Sequence, residues 1–164
     1  MTKPKIAVIL GSDSDLPVME GCLDVLRDFA ISFELKILSA HRSPALVHTF
    51  AKSAGKRGIK VIIAAAGGAA HLAGVLASLT RLPVIGVPME TKSLKGIDSL
   101  LSTAQMPSGV PVATMAIGNA GAKNAAIFAL EILGISDSKI AKKLRRFKRK
   151  LAKEISEKNK KLRV

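Results

Sequence analysis

A histidine and an arginine stand side by side at positions 41 and 42, directly after an apolar run at residues 33–38 that is typical of a β-strand. Imidazole is the side chain whose charge changes near neutral pH, and guanidinium is a fixed cation that binds phosphate well. The pair therefore predicts acid/base chemistry by His41 beside an anionic ligand held by Arg42. A hydrogen-bonded structural histidine is the alternative, and these two residues alone leave it open.

A second polar loop follows the apolar run at residues 6–10 and has the sequence Gly11-Ser12-Asp13-Ser14-Asp15. Free amides and the positive end of a helix dipole attract anions at such a helix start. The glycine spacings of a Walker loop and of a dinucleotide fingerprint are absent. The loop favours a phosphorylated sugar as ligand, although Ser and Asp residues that only form a turn and cap a helix would look the same.

A third loop follows the apolar run at residues 61–65 and has the sequence Ala66-Gly67-Gly68-Ala69-Ala70-His71. Before His71 it has no side chain that could react, so its use would be the close approach of backbone amides to a flat anionic ligand. A tight strand-to-helix turn explains the glycines equally well. That alternative gives no reason for His71.

These three loops must be positioned by alternating strands and helices. Apolar runs at residues 6–10, 33–38, 61–65 and 84–88 are typical of strands in a parallel sheet, and helical patterns separate them. The order predicts a three-layer α/β fold with a central parallel sheet and right-handed crossovers. Because ligands bind outside the carboxyl ends of the strands in such sheets, the three loops should form one pocket.

The rest of the chain is predicted with less detail. Residues 90–108 look irregular, residues 110–115 fit one more strand, and residues 120–133 fit an alanine-rich helix. A last helix should begin at about Lys139. With 164 residues and no linker or repeat, the chain is predicted to be a single domain in which residues 139–164 form a basic helical extension.

Composition limits the class of protein. Hydrophobic residues make up 48% of the chain and the mean hydropathy is +0.30. This is apolar for a small protein with so many charges, so we expect part of the surface to be buried between subunits. A single cysteine, Cys22, allows no internal disulfide, and no Cys/His cluster suggests zinc. No run reaches the roughly 18 apolar residues of a membrane span and no signal peptide is evident, which predicts a cytoplasmic protein.

The net charge of +14 is concentrated at the end of the chain, where residues 139–164 hold 13 Lys and Arg against 2 Asp and Glu. A nucleic-acid-binding tail is one interpretation of this charge. We favour a solvated face instead, because the only aromatic in the segment belongs to its apolar stripe and offers no platform for base stacking. The stripe has helical spacing and consists of Ile140, Leu144, Phe147, Leu151 and Ile155.

Residue chemistry and spacing thus indicate an α/β enzyme for a phosphorylated small molecule, with His41 as acid/base and the reaction open. Seven motifs over roughly residues 5–135 go further, since together and in order they resemble the PurE family of N5-carboxyaminoimidazole ribonucleotide mutases. They are similar to class I rather than to the class II carboxylases, which use free CO2. The motifs are Gly11-Ser12-Asp13-Ser14-Asp15, Ser39-Ala40-His41-Arg42, Ala66-Gly67-Gly68-Ala69-Ala70-His71-Leu72, Pro83-Val84-Ile85-Gly86-Val87-Pro88, Ser99-Leu100-Leu101-Ser102, Gln105-Met106-Pro107 with Gly109-Val110-Pro111-Val112, and Asn124-Ala125-Ala126.

The resemblance implies a flavodoxin-like fold, a homo-octamer, and neither a metal nor an organic cofactor. It implies that a carboxylate moves from the exocyclic N5 to carbon 4 of an imidazole ribonucleotide in de novo purine synthesis, with His41 as the proton carrier. The other implied site residues bind this substrate: Ser12, Ser14 and Asp15 at the ribose and phosphate, Ser39 and Arg42 at the phosphate, and Gly67 and His71 at the base and the migrating carboxylate.

Overall fold

A computed structural model describes residues 3–162 of the chain. Its five strands form one all-parallel sheet in the order β2-β1-β3-β4-β5, which confirms the predicted three-layer α/β fold. The central strands β1, β3 and β4 are almost entirely buried, as their unbroken apolar sequences require. The strands are β1 (Ile6–Leu10), β2 (Phe33–Ile37), β3 (Val61–Ala66), β4 (Val84–Pro88) and β5 (Ala113–Thr114).

A helix follows each strand, because parallel neighbours can only be joined by a crossover. The described residues contain six α-helices, and the first five alternate with the strands. β1 lies between β2 and β3, so the chain leaves β1 in one direction and later returns to its other side. This is the switch point at which an open α/β sheet leaves a crevice. The helices are α1 (Leu16–Asp28), α2 (Pro44–Ala54), α3 (Leu72–Leu79), α4 (Ile97–Ala104), α5 (Asn119–Gly134) and α6 (Ser138–Lys161).

The segment at residues 90–108, which the sequence pattern leaves irregular, contains α4. This helix buries hydroxyls and exposes aliphatics: Ser99 and Thr103 are buried, whereas Ile97 and Leu101 are 51% and 50% exposed. The apolar spacing of a helix is nevertheless present in the sequence, at Ile97, Leu100, Leu101 and Ala104, so the prediction of an irregular segment was wrong. Gly96 precedes the helix at φ +90, and the Thr103 hydroxyl donates to the Ser99 carbonyl at 2.7 Å.

The last strand is shorter than predicted. The sequence predicts pairing over residues 110–115, but only Ala113 and Thr114 pair with β4. Pro111 lacks the N–H that a ladder needs, which is consistent with pairing that starts only after it. The remaining predicted strands lie within one residue of their observed bounds.

The chain divides after Ala129, within α5, into two compact units. The second unit contains the end of α5 and all of α6, and its last helix begins at the N-cap Asp137, whose carboxylate accepts from the N–H groups of Lys139 and Ile140. Ile140 and Leu144 are buried, but Leu151 and Ile155 are 45% and 58% exposed. The apolar stripe is thus covered only at its start.

No helix among residues 3–162 is both long enough and apolar enough to cross a membrane.

Candidate active site

The three loops singled out in the sequence meet at one cavity of about 470 Å³, at the carboxyl edge of the sheet. They follow β1, β2 and β3, and the residues after β4 complete the wall. All the predicted site residues line this cavity: Ser12, Ser14, Asp15, Ser39, His41, Arg42, Gly67 and His71. His48, the remaining histidine, is exposed on α2 and does not line the cavity.

The loop after β1 is held by a capping box. The Ser12 hydroxyl accepts from the Ser14 N–H at 3.3 Å, and the Asp15 carboxylate accepts from the Ser12 N–H at 3.1 Å. The alternative role of these residues as caps is therefore real, and it coexists with their place on the cavity wall. Asp15 is only 9% exposed, and burial raises its pKa although hydrogen bonds from the Ser12 and Gly11 amides act in the opposite direction.

The loop after β2 ties itself to the loop after β1 through Arg42. The guanidinium donates from Nη2 to the Gly11 carbonyl at 3.2 Å and from Nε to the Ser39 hydroxyl at 3.4 Å. Ser43 fixes the turn, since its hydroxyl accepts from the Ser39 N–H and donates to the Ser39 carbonyl, each at 3.0 Å. Both acceptors of the guanidinium are neutral, so its charge remains available to an anion in the cavity.

The two histidines of the cavity contact each other directly. Nε2 of His41 lies 2.8 Å from Nδ1 of His71, and the rings meet edge to face with centroids 4.9 Å apart. At such a contact one nitrogen donates and the other accepts, so the two rings share one proton site. The sequence predicted both residues in the pocket but not this contact.

The glycine-rich loop after β3 is tightly wound. Gly68 has φ +65, in the left-handed region, and two short turns follow it, in which Ala70 N–H donates to the Gly68 carbonyl and His71 N–H to the Ala69 carbonyl. A Cβ on Gly67 would lie 3.4 Å from the Met89 side chain. The loop is therefore both a tight turn and a cavity wall, and it places His71 in contact with His41.

Sequence reasoning missed the part of the wall that follows β4. Met89 and the exposed carboxylate of Glu90 both line the cavity. The signal was available, because residues directly after a predicted parallel strand lie at the ligand-binding edge. Among the described residues, no group of three or more His, Cys, Asp or Glu side chains is placed to hold a metal ion.

The fold and the cavity define a doubly wound α/β enzyme with its ligand site at the switch point of the sheet. Residues 5–154 match the family model described as AIR carboxylase. The chain is 56% identical to the N5-carboxyaminoimidazole ribonucleotide mutase of Pyrococcus horikoshii, over 98% of this chain and 89% of that protein. The mutase of Thermotoga maritima is 54% identical over 97% of this chain and 92% of its own length.

Solved structures agree with these relatives. The crystal structure of Treponema denticola PurE superposes with a TM-score of 0.88 at 28% identity, covering 98% of this chain and 99% of that one. The chain belongs to the AIR carboxylase family, which confirms the resemblance found in the sequence. It is an enzyme of the isomerase class, as its mutase relatives are.

Proposed function

We propose that the protein is an N5-carboxyaminoimidazole ribonucleotide mutase of de novo purine biosynthesis, which moves the carboxylate from N5 to carbon 4 of the imidazole. The observation that carries this proposal is the contact between His41 and His71 in a cavity whose other walls offer a guanidinium, hydroxyls and backbone amides. The names of relatives that are more than half identical support the choice of substrate.

The phosphate and ribose are bound by the loops after β1 and β2. Arg42 supplies the charge, and the hydroxyls of Ser12, Ser14 and Ser39 supply neutral hydrogen bonds. Asp15 holds the first of these loops in shape and accepts from a ribose hydroxyl with its remaining lone pairs. Binding at these remote groups orients the imidazole over the histidines.

His41 carries the proton. As an acid it protonates N5 of the carbamate, and the N5–carboxylate bond then breaks with loss of CO2. Carbon 4 of the resulting aminoimidazole attacks the CO2, and the neutral His41 removes the proton that carbon 4 still holds. The proton gained in the last step equals the one given in the first, so no net proton is exchanged. His71, 2.8 Å from His41, keeps that ring oriented and its proton in place between the two steps.

The CO2 released halfway has no charge by which the protein could hold it. It must therefore be confined beside carbon 4 by a close-fitting wall that keeps water out. Small side chains and backbone suit this role, and the cavity has them at Ala40, Ala66, Gly67 and Ala69.

The active form in this proposal is a cytoplasmic homo-octamer that binds neither nucleic acid nor membrane. The number of subunits and the absence of a cofactor come from the family resemblance. Two exposed apolar stripes support an assembly of several copies, one made by Leu94, Ile97 and Leu101 at α4 and one by Leu151 and Ile155 on α6.

The test is an assay with N5-carboxyaminoimidazole ribonucleotide in buffer freed of CO2 and bicarbonate. A mutase converts this substrate to 4-carboxy-5-aminoimidazole ribonucleotide under these conditions. A class II carboxylase would instead require aminoimidazole ribonucleotide and added CO2. Product formation only in that second mixture would overturn the proposal while leaving the family assignment intact.

A further inference from the structure

Ser99 is a fully buried hydroxyl that the proposed chemistry does not use. It lies on α4 with 0% of its surface exposed, and its Oγ accepts from the Gly68 N–H at 2.9 Å. One turn later on the same helix, the Ser102 hydroxyl donates to the carbonyl of the same Gly68 at 3.5 Å. We propose that Ser99 and Ser102 are positioning residues, which set the His41–His71 contact by fixing the Gly68 peptide groups.

The two serine hydrogen bonds form a clamp on Gly68, which is a position of high backbone freedom. At φ +65 it lies in the left-handed region, and its carbonyl also accepts from Ala70 N–H at 2.8 Å. A glycine has more backbone freedom than any other residue, so both of its polar groups must be held if the turn is to keep one shape. Ser99 takes the N–H, and Ser102 reaches the carbonyl from one helical turn further on.

The path from this clamp to the histidines is short. Two consecutive turns lead from Gly68 to His71, and the second is closed by the His71 N–H to the Ala69 carbonyl at 2.7 Å. Nδ1 of His71 then lies 2.8 Å from Nε2 of His41. Because this segment is short and closed by hydrogen bonds, a displacement of Gly68 also displaces the His71 ring. A shift of about an ångström breaks a hydrogen bond of this length.

The clamp is itself mounted on rigid structure. The Thr103 hydroxyl donates to the Ser99 carbonyl at 2.7 Å, and the Thr103 methyl packs where a side chain on Gly86 of β4 would be. At the other end of α4, the Thr91 hydroxyl donates to the Asp98 carboxylate at 2.8 Å. α4 thus fixes the position of the glycine-rich loop relative to the central sheet.

The arrangement of α4 points to this use rather than to packing alone. Ile97 and Leu101 face outward, as the proposed subunit contact requires, so the side of α4 that faces this chain's own core is left to Ser99 and Thr103. The inward hydroxyl of Ser99 has the Gly68 amide as its partner. The inference rests on the proposed function, since positioning matters only if the two rings handle the proton.

The experiment compares Ser99→Ala and Ser102→Ala with a matched control, Ser53→Ala. Like Ser102, Ser53 is a half-buried helical serine, but its hydroxyl donates to the Phe50 carbonyl on α2, and it does not line the cavity. One readout is the ring resonances of ¹³C-labelled histidine, because the chain has only three histidines and the exposed His48 serves as internal reference. The other is kcat and KM for the mutase reaction.

We expect Ser99→Ala to move the His41 and His71 resonances and to leave that of His48 in place. It should lower kcat about tenfold or more while KM changes less than about twofold, because a misplaced reacting group slows the chemical step rather than binding. Ser102→Ala should lower kcat to a smaller extent, since the hydrogen bond of Ser102 to Gly68 is longer. Ser102→Thr keeps a hydroxyl and should keep the wild-type kcat. Ser53→Ala should match the wild type in both readouts.

A double-mutant comparison separates positioning from stability. If Ser99 acts through His71, then Ser99→Ala should slow a His71→Asn enzyme much less than it slows the wild type. A Ser99→Ala protein that melts earlier but keeps kcat and all histidine resonances would overturn the inference. Should the wild type lack mutase activity, the proposed function fails, and the resonances still decide whether the serines position the rings. Ser102→Ala and Ser102→Thr carry the test if Ser99→Ala does not fold.

Discussion

His41 lies on the cavity wall with one ring nitrogen already engaged by His71, 2.8 Å away. We expect His41→Asn to bind the ribonucleotide product normally but to turn over at least about a hundredfold more slowly, the usual loss when a general acid/base is removed. Stopped-flow turnover and product titration measure the two effects separately. His48→Asn, on the exposed face of α2, is the matched control and should be fully active. Near-normal turnover by His41→Asn would refute the role given to this ring.

Arg42 is the cation of the cavity wall, tied by its hydrogen bonds to Gly11 and Ser39. We expect Arg42→Ala to weaken ribonucleotide binding by about 2 kcal/mol, because a charge-assisted contact to phosphate is lost. Calorimetry with the product and with its dephosphorylated nucleoside distinguishes this from general damage. Equal losses for both ligands would show that Arg42 does not bind the phosphate.

The buried carboxyl of Asp15 should lower the folding stability of the protein once it is ionised. Burial raises its pKa above the ordinary value of 3.8, so the folded protein holds this proton more tightly than the unfolded chain does. The stabilising contribution of the protonated form is complete below the unfolded pKa and is lost as pH rises through the folded pKa. We therefore expect the melting temperature of Asp15→Asn, relative to wild type, to increase as the pH is raised above about 4. A difference that stays constant as the pH rises would contradict the expectation.

The residues that line the site could largely be found from the sequence, because each follows an apolar run that becomes a parallel strand. Which of these residues contact each other could not be predicted from the sequence. His41 follows β2 and His71 follows β3, and these strands flank β1 only because of the strand order. Glu90 was missed although its position directly after β4 indicates the ligand-binding edge, because the motif at residues 83–88 ends before it.

Elements were predictable where burial and hydrophobicity agree, as in β1, β3 and β4. The direction of a helix was harder to predict where its apolar face points outward. In α4 apolar residues recur at helical spacing, but Ile97 and Leu101 are exposed. The buried residues are Ser99 and Thr103, whose hydroxyls are satisfied by backbone groups, so periodicity alone would assign the wrong face to the core. The strand β5 was predicted, but its length was not, since its extent is set by where pairing with β4 begins and stops rather than by its own residues.

The packing of α4 on β4 depends on the absence of a side chain at Gly86. A Cβ there would clash with the Thr103 methyl and lie 3.0 Å from Cγ1 of Val112. We expect Gly86→Ala to lower the free energy of unfolding by about 1–3 kcal/mol through overpacking, as measured by urea denaturation.

Gly55 provides the matched control for that substitution. It has φ −62, a conformation open to alanine, and a Cβ added at this position would have no atom within 4 Å. Gly55→Ala should therefore be neutral or stabilising by about 0.4–1 kcal/mol, because the unfolded chain loses freedom. If the two substitutions had the same effect, close packing at Gly86 would not be the reason for its glycine.

At the scale of the whole molecule, the cavity and most of the net positive charge belong to different parts of the chain. The cavity is built by the first compact unit, whereas residues 139–164 hold half of the 26 Lys and Arg residues of the chain. α6 combines this charge with an apolar stripe that is buried at Ile140 and Leu144 and exposed at Leu151 and Ile155. The sequence predicted both the apolar stripe and its position, and the structure shows which of its residues are covered within the chain.

The exposed half of the stripe should be an interface between copies of the chain. We expect the protein to scatter light as an assembly several times the 17.2 kDa of one chain, and Leu151→Gln with Ile155→Gln to lower that mass or the melting temperature. Both substitutions keep the helix and the charge while removing the gain from burying two aliphatic side chains, about 1.5–3 kcal/mol each when fully buried. The matched control, Lys150→Gln with Lys153→Gln, changes exposed positions of the same helical turns outside the apolar stripe and should keep the assembly intact. If the Leu151/Ile155 variant retains both its mass and its melting temperature, α6 ends as a solvated arm and the subunits meet elsewhere.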